Sequence, residues 1–193
     1  ATVTVTVNSS IVVTASVLPA TICNGEPSTL TASGGTNYTW SNSLGTTNPV
    51  TVNPSTTSSY TVTGNSNGCT GSATVTVNVN PIPTVTVPGN ITLCNSATVA
   101  ANTFTSTPAG ASFSWTNNTP SIGLAASGTG SQPSFTALNA GSTPVTATIT
   151  VTPSLSGCTG TPVSYTITVN PTDNPAFNYT PSTLCVTGTD TPA

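Results

Sequence analysis

Apolar and polar residues take turns along most of this chain. Ala73 to Val79 reads ATVTVNV and Ser164 to Val169 reads SYTITV. Both follow the two-residue period of a strand with one buried face. The polar member is usually Thr, whose branched side chain suits the outer surface of a pleated sheet. No stretch of useful length follows a 3.6-residue period, and 17 Pro with 16 Gly would interrupt one. The pattern predicts an all-β protein. In the first half, strands are expected at Ile11–Val17, Ser28–Ala32, Asn37–Ser41, Pro49–Asn53, Ser59–Gly64 and Ala73–Val79. Short strands with turn signals every 8–12 residues or so read as an immunoglobulin-like β-sandwich. Trp40 and Trp115 are then its core tryptophans.

The chain also resembles itself. TICNGEPSTLTA begins at Thr21, TLCNSATVAA at Thr92 and TLCVTGTD at Thr183. YTWSN from Tyr38 matches FSWTNN from Phe113, and NGCTGSATVTVNVNP from Asn67 matches SGCTGTPVSYTITVNP from Ser156. The order Cys, Trp, Cys, closing strand, Asn-Pro therefore occurs twice, in repeats of 9–80 and 81–170. Residues 1–8 read as the last strand of a preceding repeat and 171–193 as the start of a following one. The expected arrangement is a set of tandem sandwiches in an extended rod, with Pro81 and Pro171 stopping the closing strands and leaving no long spacer. A polymer of short subunits that exchange strands is the competing reading of those ends. The second repeat is longer, with 42 residues between Trp115 and Cys158 against 28 between Trp40 and Cys69. Its extra segment, SIGLAASGTGSQPSF from Ser121, is expected to form a loop or short edge hairpin and is the better bet for contact with a ligand.

Composition narrows the function. The 193 residues include no Lys, Arg, His or Met, and the only acids are Glu26, Asp173 and Asp190. Without cations nothing neutralises phosphate, which argues against nucleic acid and anionic membranes as partners. Without His, Lys or clustered carboxylates there is no ordinary general base and no cage for a hard metal. No enzyme, no cofactor and no metal site are expected. No run of 18 apolar residues exists, so no transmembrane helix and no membrane insertion are expected. The opening residues alternate instead of forming a leader, which places any export signal outside this stretch. Sequons at Asn8, Asn37, Asn90, Asn117 and Asn178 are what so Asn- and Thr-rich a chain yields by chance.

The five cysteines fall into two classes. Cys23, Cys94 and Cys185 precede the second predicted strand of their repeats, and Cys69 and Cys158 lie in the last hairpin. With no His, no C-x-x-C and no base, structural disulfides in an oxidising compartment fit better than zinc or catalysis. The simple pairing is Cys23 with Cys69 and Cys94 with Cys158, leaving Cys185 to the third repeat. Yet the two classes belong at opposite ends of a seven-stranded sandwich, which would instead set Cys23 beside Cys158 of the next repeat. Both pairings stand at this point.

GEPSTLTASGGTNYTWSN with SYTVTGNSNGCTGSATVTVNVNP, and in the second repeat TVTVPGNITLCNSATV, FSWTNNTPSIGLAASGTG and VTATITVTPSLSGCTGTPVSYTITVNP, resemble the PKD-like and immunoglobulin-like repeats of giant Bacteroidetes surface proteins. The resemblance covers nearly the whole chain and is more specific in the second repeat. It implies export by the type IX secretion system and an extracellular, cell-surface location, anchored at the outer membrane through regions outside this stretch. Gliding-motility adhesins of the SprB type are among such proteins. The resemblance is to their stalk repeats, whose partners are neighbouring repeats and, through other regions, the secretion and motility machinery. The role expected is a mechanical one in adhesion and gliding, with a passive spacer of another secreted protein as the alternative. PKD modules that bind calcium carry acidic residues this chain lacks.

Overall fold

The computed structural model describes residues 1–3 and 10–172, which form two units, Ala1–Pro81 and Ile82–Ala193. The expected ends of neighbouring repeats, 1–8 and 171–193, lie almost wholly outside the described residues.

In the first unit, strands β1 (Thr14–Leu18), β3 (Ser28–Ser33) and β5 (Val50–Val52) make one sheet in the order β1-β3-β5. Strands β2 (Thr21–Cys23), β4 (Asn37–Trp40), β6 (Ser58–Ser66) and β7 (Cys69–Asn80) make the other, in the order β2-β7-β6-β4. The chain changes sheets at Pro19, whose carbonyl accepts from the Ser28 hydroxyl at 2.7 Å. Asn67 and Gly68 turn the β6–β7 hairpin with φ of 50° and 79°. Two successive left-handed residues make a type I′ turn, whose twist matches that of the strands it joins.

Alternation sorts the two faces of that hairpin. Inward, Tyr60, Val62 and Val77 pack with Leu30, Val52 and Trp40, all buried. Outward, hydroxyls pair across the strands: Ser59 with Thr76 at 2.9 Å and Thr61 with Thr74 at 2.8 Å. Cross-strand pairs of this kind contribute a few tenths to about 1 kcal/mol each. They also satisfy polar groups on a surface that has almost no charge.

The second unit repeats this plan on a larger sheet. Strands β9 (Ile91–Cys94), β12 (Ser112–Asn117), β13 (Ser127–Thr129), β15 (Val145–Leu155) and β17 (Val163–Asn170) run in the order β13-β12-β15-β17-β9, with β16 (Cys158–Thr159) also paired to β15. The facing layer is broken into two pairs, β8 (Thr84–Thr86) with β11 (Thr105–Thr107) and β10 (Thr98–Val99) with β14 (Phe135–Thr136). Trp115, Ile149, Val151, Tyr165, Ile167 and Val169 of the large sheet pack against Val85, Val99 and Phe104. Ser156 and Gly157, with φ of 51° and 84°, make the same turn as Asn67 and Gly68. Thr146 with Thr168 and Thr150 with Ser164 continue the outward hydroxyl pairing at 2.9 and 2.8 Å.

The all-β sandwich expected from the pattern is observed, and each sheet is built from strands of its own unit. One local expectation needs correction, and one segment does more than expected. Cys23 does not merely precede a strand: Thr21–Cys23 is itself β2, paired in parallel with the end of β7. The segment from Ser121 to Phe135 takes up the expected edge pairing and also adds buried side chains to the core. A 3-10 turn at Pro120–Ile122 leads into a stretch whose Ile122, Leu124 and Gln132 are wholly or almost wholly buried, and β13 adds an edge to β12. Its Gly and Ser content hid this role. Gly128 is required because the Trp115 ring occupies the space a Cβ would take.

Leu124→Ala is accordingly expected to cost 2–5 kcal/mol or so, the range for truncating a buried Leu. Urea unfolding monitored by Trp fluorescence measures it; a change within about 0.5 kcal/mol would be that of a surface loop.

Candidate functional site

The cysteines mark the two ends of each unit. Cys23 stands opposite Asn80 in the parallel β2–β7 register, and the Asn24 amide donates to the Asn80 carbonyl at 3.0 Å. Cys94 stands opposite Asn170 in the same way, and the Asn95 amide donates to the Asn170 carbonyl at 2.8 Å. Both lie at the outgoing pole, where the chain leaves its unit. Cys69 follows the β6–β7 turn, two residues from Gly71, whose backbone lies against Ile11. Cys158 follows the β15–β16 turn, two residues from Gly160, whose backbone lies against Pro83. These two lie at the incoming pole.

Cys23, Cys94 and Cys158 are disulfide-bonded, whereas Cys69 is a free thiol. Cys185 lies outside the described residues. The simple pairing of Cys23 with Cys69 is therefore corrected, and the register supplies the reason. The two are set apart by the length of β7, roughly 36 Å at 3.3 Å per residue, whereas bridged Cα atoms lie within about 7 Å. Cys94 and Cys158 are likewise separated by the length of β15, roughly 33 Å, so that pairing is excluded too.

Trp40 and Trp115 are both 3% exposed, in the cores expected for them. Neither indole Nε1 has a hydrogen-bond partner. Glu26 is exposed, and its backbone amide closes the turn by donating to the Cys23 carbonyl at 2.9 Å. Asp173 and Asp190 lie outside the described residues, as do the sequon residues Asn8 and Asn178. Of the other sequons, Asn37 and Asn90 are exposed. Asn117 is buried: its Nδ2 donates to the Leu124 carbonyl and its Oδ1 accepts from the Thr119 amide, both at 2.9 Å. Among the described residues no group of three or more His, Cys, Asp or Glu could hold a metal, and no helix is long and apolar enough to cross a membrane. An open hollow on the outer face of the larger sheet is lined by Ser112, Ser114, Thr129, Thr152 and Ser154, with the Phe113 backbone strand between them. It presents hydroxyls and no titratable group.

One buried polar cluster escaped the sequence reading. The Tyr165 hydroxyl donates to Gln132 Oε1 at 2.6 Å, Asn102 Nδ2 donates to the same oxygen at 3.2 Å, and Gln132 Nε2 donates to the Pro133 carbonyl at 2.9 Å. Gln132 comes from the segment read as a ligand-contacting loop. Its side chain instead ties that segment to β17, which is a structural role. Only the pairing of the sheets brings residues 102, 132 and 165 together, so no local signal could have found them.

Disulfide-bonded cysteines in immunoglobulin-like sandwiches are features of domains of extracellular type, and folds of this class serve mainly as binding or structural modules. Residues 91–173 match the sequence profile of the PKD-like domain. Similar solved structures include the extracellular domains 3–5 of Drosophila OTK, at 16% identity over 81% of this chain and 62% of that one with a TM-score of 0.48. Others are DIP-gamma IG1+IG2, at 12% over 80% of this chain and 93% of that one with 0.41, and murine CEACAM1b, at 15% over 82% and 99% with 0.36. No curated protein matches the chain.

Burial pushes the Tyr165 phenol up from 10.0 to about 12. Below pH 10 or so the phenol is neutral whether the unit is folded or not, and its contribution is complete. Between about pH 10 and about pH 12 the unfolded phenol ionises while the buried one does not, so stability falls by roughly 1.4 kcal/mol per pH unit. Urea unfolding at about pH 9 and about pH 11 is expected to show this loss, and Tyr165→Phe to show less of it. An equal loss in both proteins would remove the phenol as its cause.

Proposed function

We propose that this chain is a load-bearing stalk segment of a bacterial cell-surface adhesin of the gliding-motility type, exported by the type IX route. The observation that carries the reading is the tandem order of two almost uncharged sandwiches in one chain, Ala1–Pro81 and Ile82–Ala193, with disulfide-bonded cysteines at their poles. Lys, Arg and His are absent from the composition, and only three acidic residues are present. The role is mechanical: to project a distal adhesive region and to transmit force. The resemblance to stalk repeats of Bacteroidetes surface proteins supports the adhesin reading, and the PKD-like match of residues 91–173 supports its coarser part. Neighbouring repeats are the proposed partners, with outer-membrane anchoring supplied by other regions. The strand-exchanged polymer is less well supported, because among the described residues every sheet pairs strands of one unit.

Denaturing electrophoresis of reduced cell-surface material, probed with antibody to this chain, tests the reading. A polypeptide of several hundred kDa is expected. A reduced band near 19.0 kDa would sink the stalk.

A further inference from the structure

We propose that the hollow on the outer face of the larger sheet is a binding site for a neutral saccharide. The site lies wholly within the second unit and does not depend on the chain being a stalk.

Register sets six hydroxyls around the hollow in two rows. Thr129, Ser114 and Thr152 stand opposite one another across β13, β12 and β15, and Ser112, Ser154 and Thr159 do so across β12, β15 and β16. Neighbouring strands are about 4.8 Å apart, and the rows are two residues apart along β15, about 6.6 Å. The grid therefore has the scale of a short saccharide. The pairing of β15 shifts by one residue between β16 and β17, the kind of irregularity that bends a sheet. The hollow has a volume of about 660 Å³, within the range of small-molecule sites.

These hydroxyls are not used as others on the same face are. Thr146 with Thr168 and Thr150 with Ser164 bond across the strands. Ser114 and Thr152 are also directly opposite, yet they do not bond to each other. Among the described residues, the hydroxyls of Ser114, Thr129, Thr152, Ser154 and Thr159 have no protein partner. Ser112 donates its proton to the Ser154 carbonyl at 3.2 Å and keeps its lone pairs. Each of these hydroxyls can accept, and five can also donate, as each sugar hydroxyl can. No cation exists anywhere in the chain and no acid lines the hollow. Nothing there would hold an ionic ligand against its own hydration. A peptide strand finds no free edge either, because β12 is already paired to β13 on one side and to β15 on the other. Each bond to a sugar replaces one to water, so its net gain is small. A Kd of about 1 mM is expected for a short oligosaccharide.

Amide NMR spectra of the full chain, titrated with cellotetraose, maltotetraose, mannotetraose or galactotetraose to about 10 mM, test the site. At least one of these probes is expected to shift the amides of Ser114, Thr129, Thr152 and Thr159 and to saturate. Ser114→Ala combined with Thr152→Val is expected to weaken that probe by about tenfold or more. Thr146→Val, on the same face beyond the hollow, is expected to bind it as the parent chain does. The amides of Trp115 and Tyr165 report whether each variant keeps its fold. If the double variant loses it, Thr129→Val at the edge strand carries the same expectation. No saturating shift at the hollow with any of the four probes overturns the proposal. An affinity that falls equally in the hollow variant and in Thr146→Val, or in neither, overturns it too. So does glycerol giving the same shifts at the same concentration, because any hydroxyl-rich surface would then do as well.

Discussion

A chain with almost no charged side chains has one main means of keeping core and water apart, the alternation of its strands. Each β-branched apolar residue turned inward leaves a Thr or Ser turned outward, and the outward hydroxyls pair with one another across β6–β7 and β15–β17. The two effects reinforce each other. Register fixes which hydroxyls meet, and a slip by one residue would bury the Thr face and expose Val62, Val77, Ile149 and Ile167. In the first unit the two left-handed residues of the tight turn set that register along the whole hairpin, whereas in the second the β15–β17 pairing is offset by one residue from the β15–β16 pairing at the turn. The long closing hairpin is thus the spine on which the rest of each unit assembles.

Both cores are centred on a tryptophan whose indole N–H has no partner. Leaving such a donor unsatisfied costs about 1–3 kcal/mol, which the large buried ring surface offsets. The second unit adds a further device. Gln132 and Tyr165 form a buried hydrogen bond that holds an inserted segment over the larger sheet. Ile122 and Leu124 of that segment close a core that β8, β10, β11 and β14 cover only in pieces.

Parallel pairing of a short strand with the end of the closing strand accounts for the cysteines. In both units this contact holds one cysteine where the chain leaves, while the last tight turn holds the other where the chain arrives. A repeat of this geometry cannot close its own disulfide.

Much of this was legible from residues alone. The all-β class, the buried Trp40 and Trp115, and the absence of Lys, Arg and His follow from local period and composition, neither of which needs long-range contacts. The six strands expected in the first half are present with ends shifted by a few residues, because alternation reports burial better than it reports where pairing stops. Three features became visible only in the fold: the strand at Thr21–Cys23, the core role of residues 121–135, and the separation of Cys23 from Cys69. The first is three residues long, too short for a period. The second has a Gly- and Ser-rich composition that on its own reads as loop, although Gly128 lies against the Trp115 ring and Gly123 beside the Thr136 backbone. The third depends on strand direction, since a parallel partner and a hairpin partner of the same strand end at opposite poles, and sequence spacing carries no information about direction.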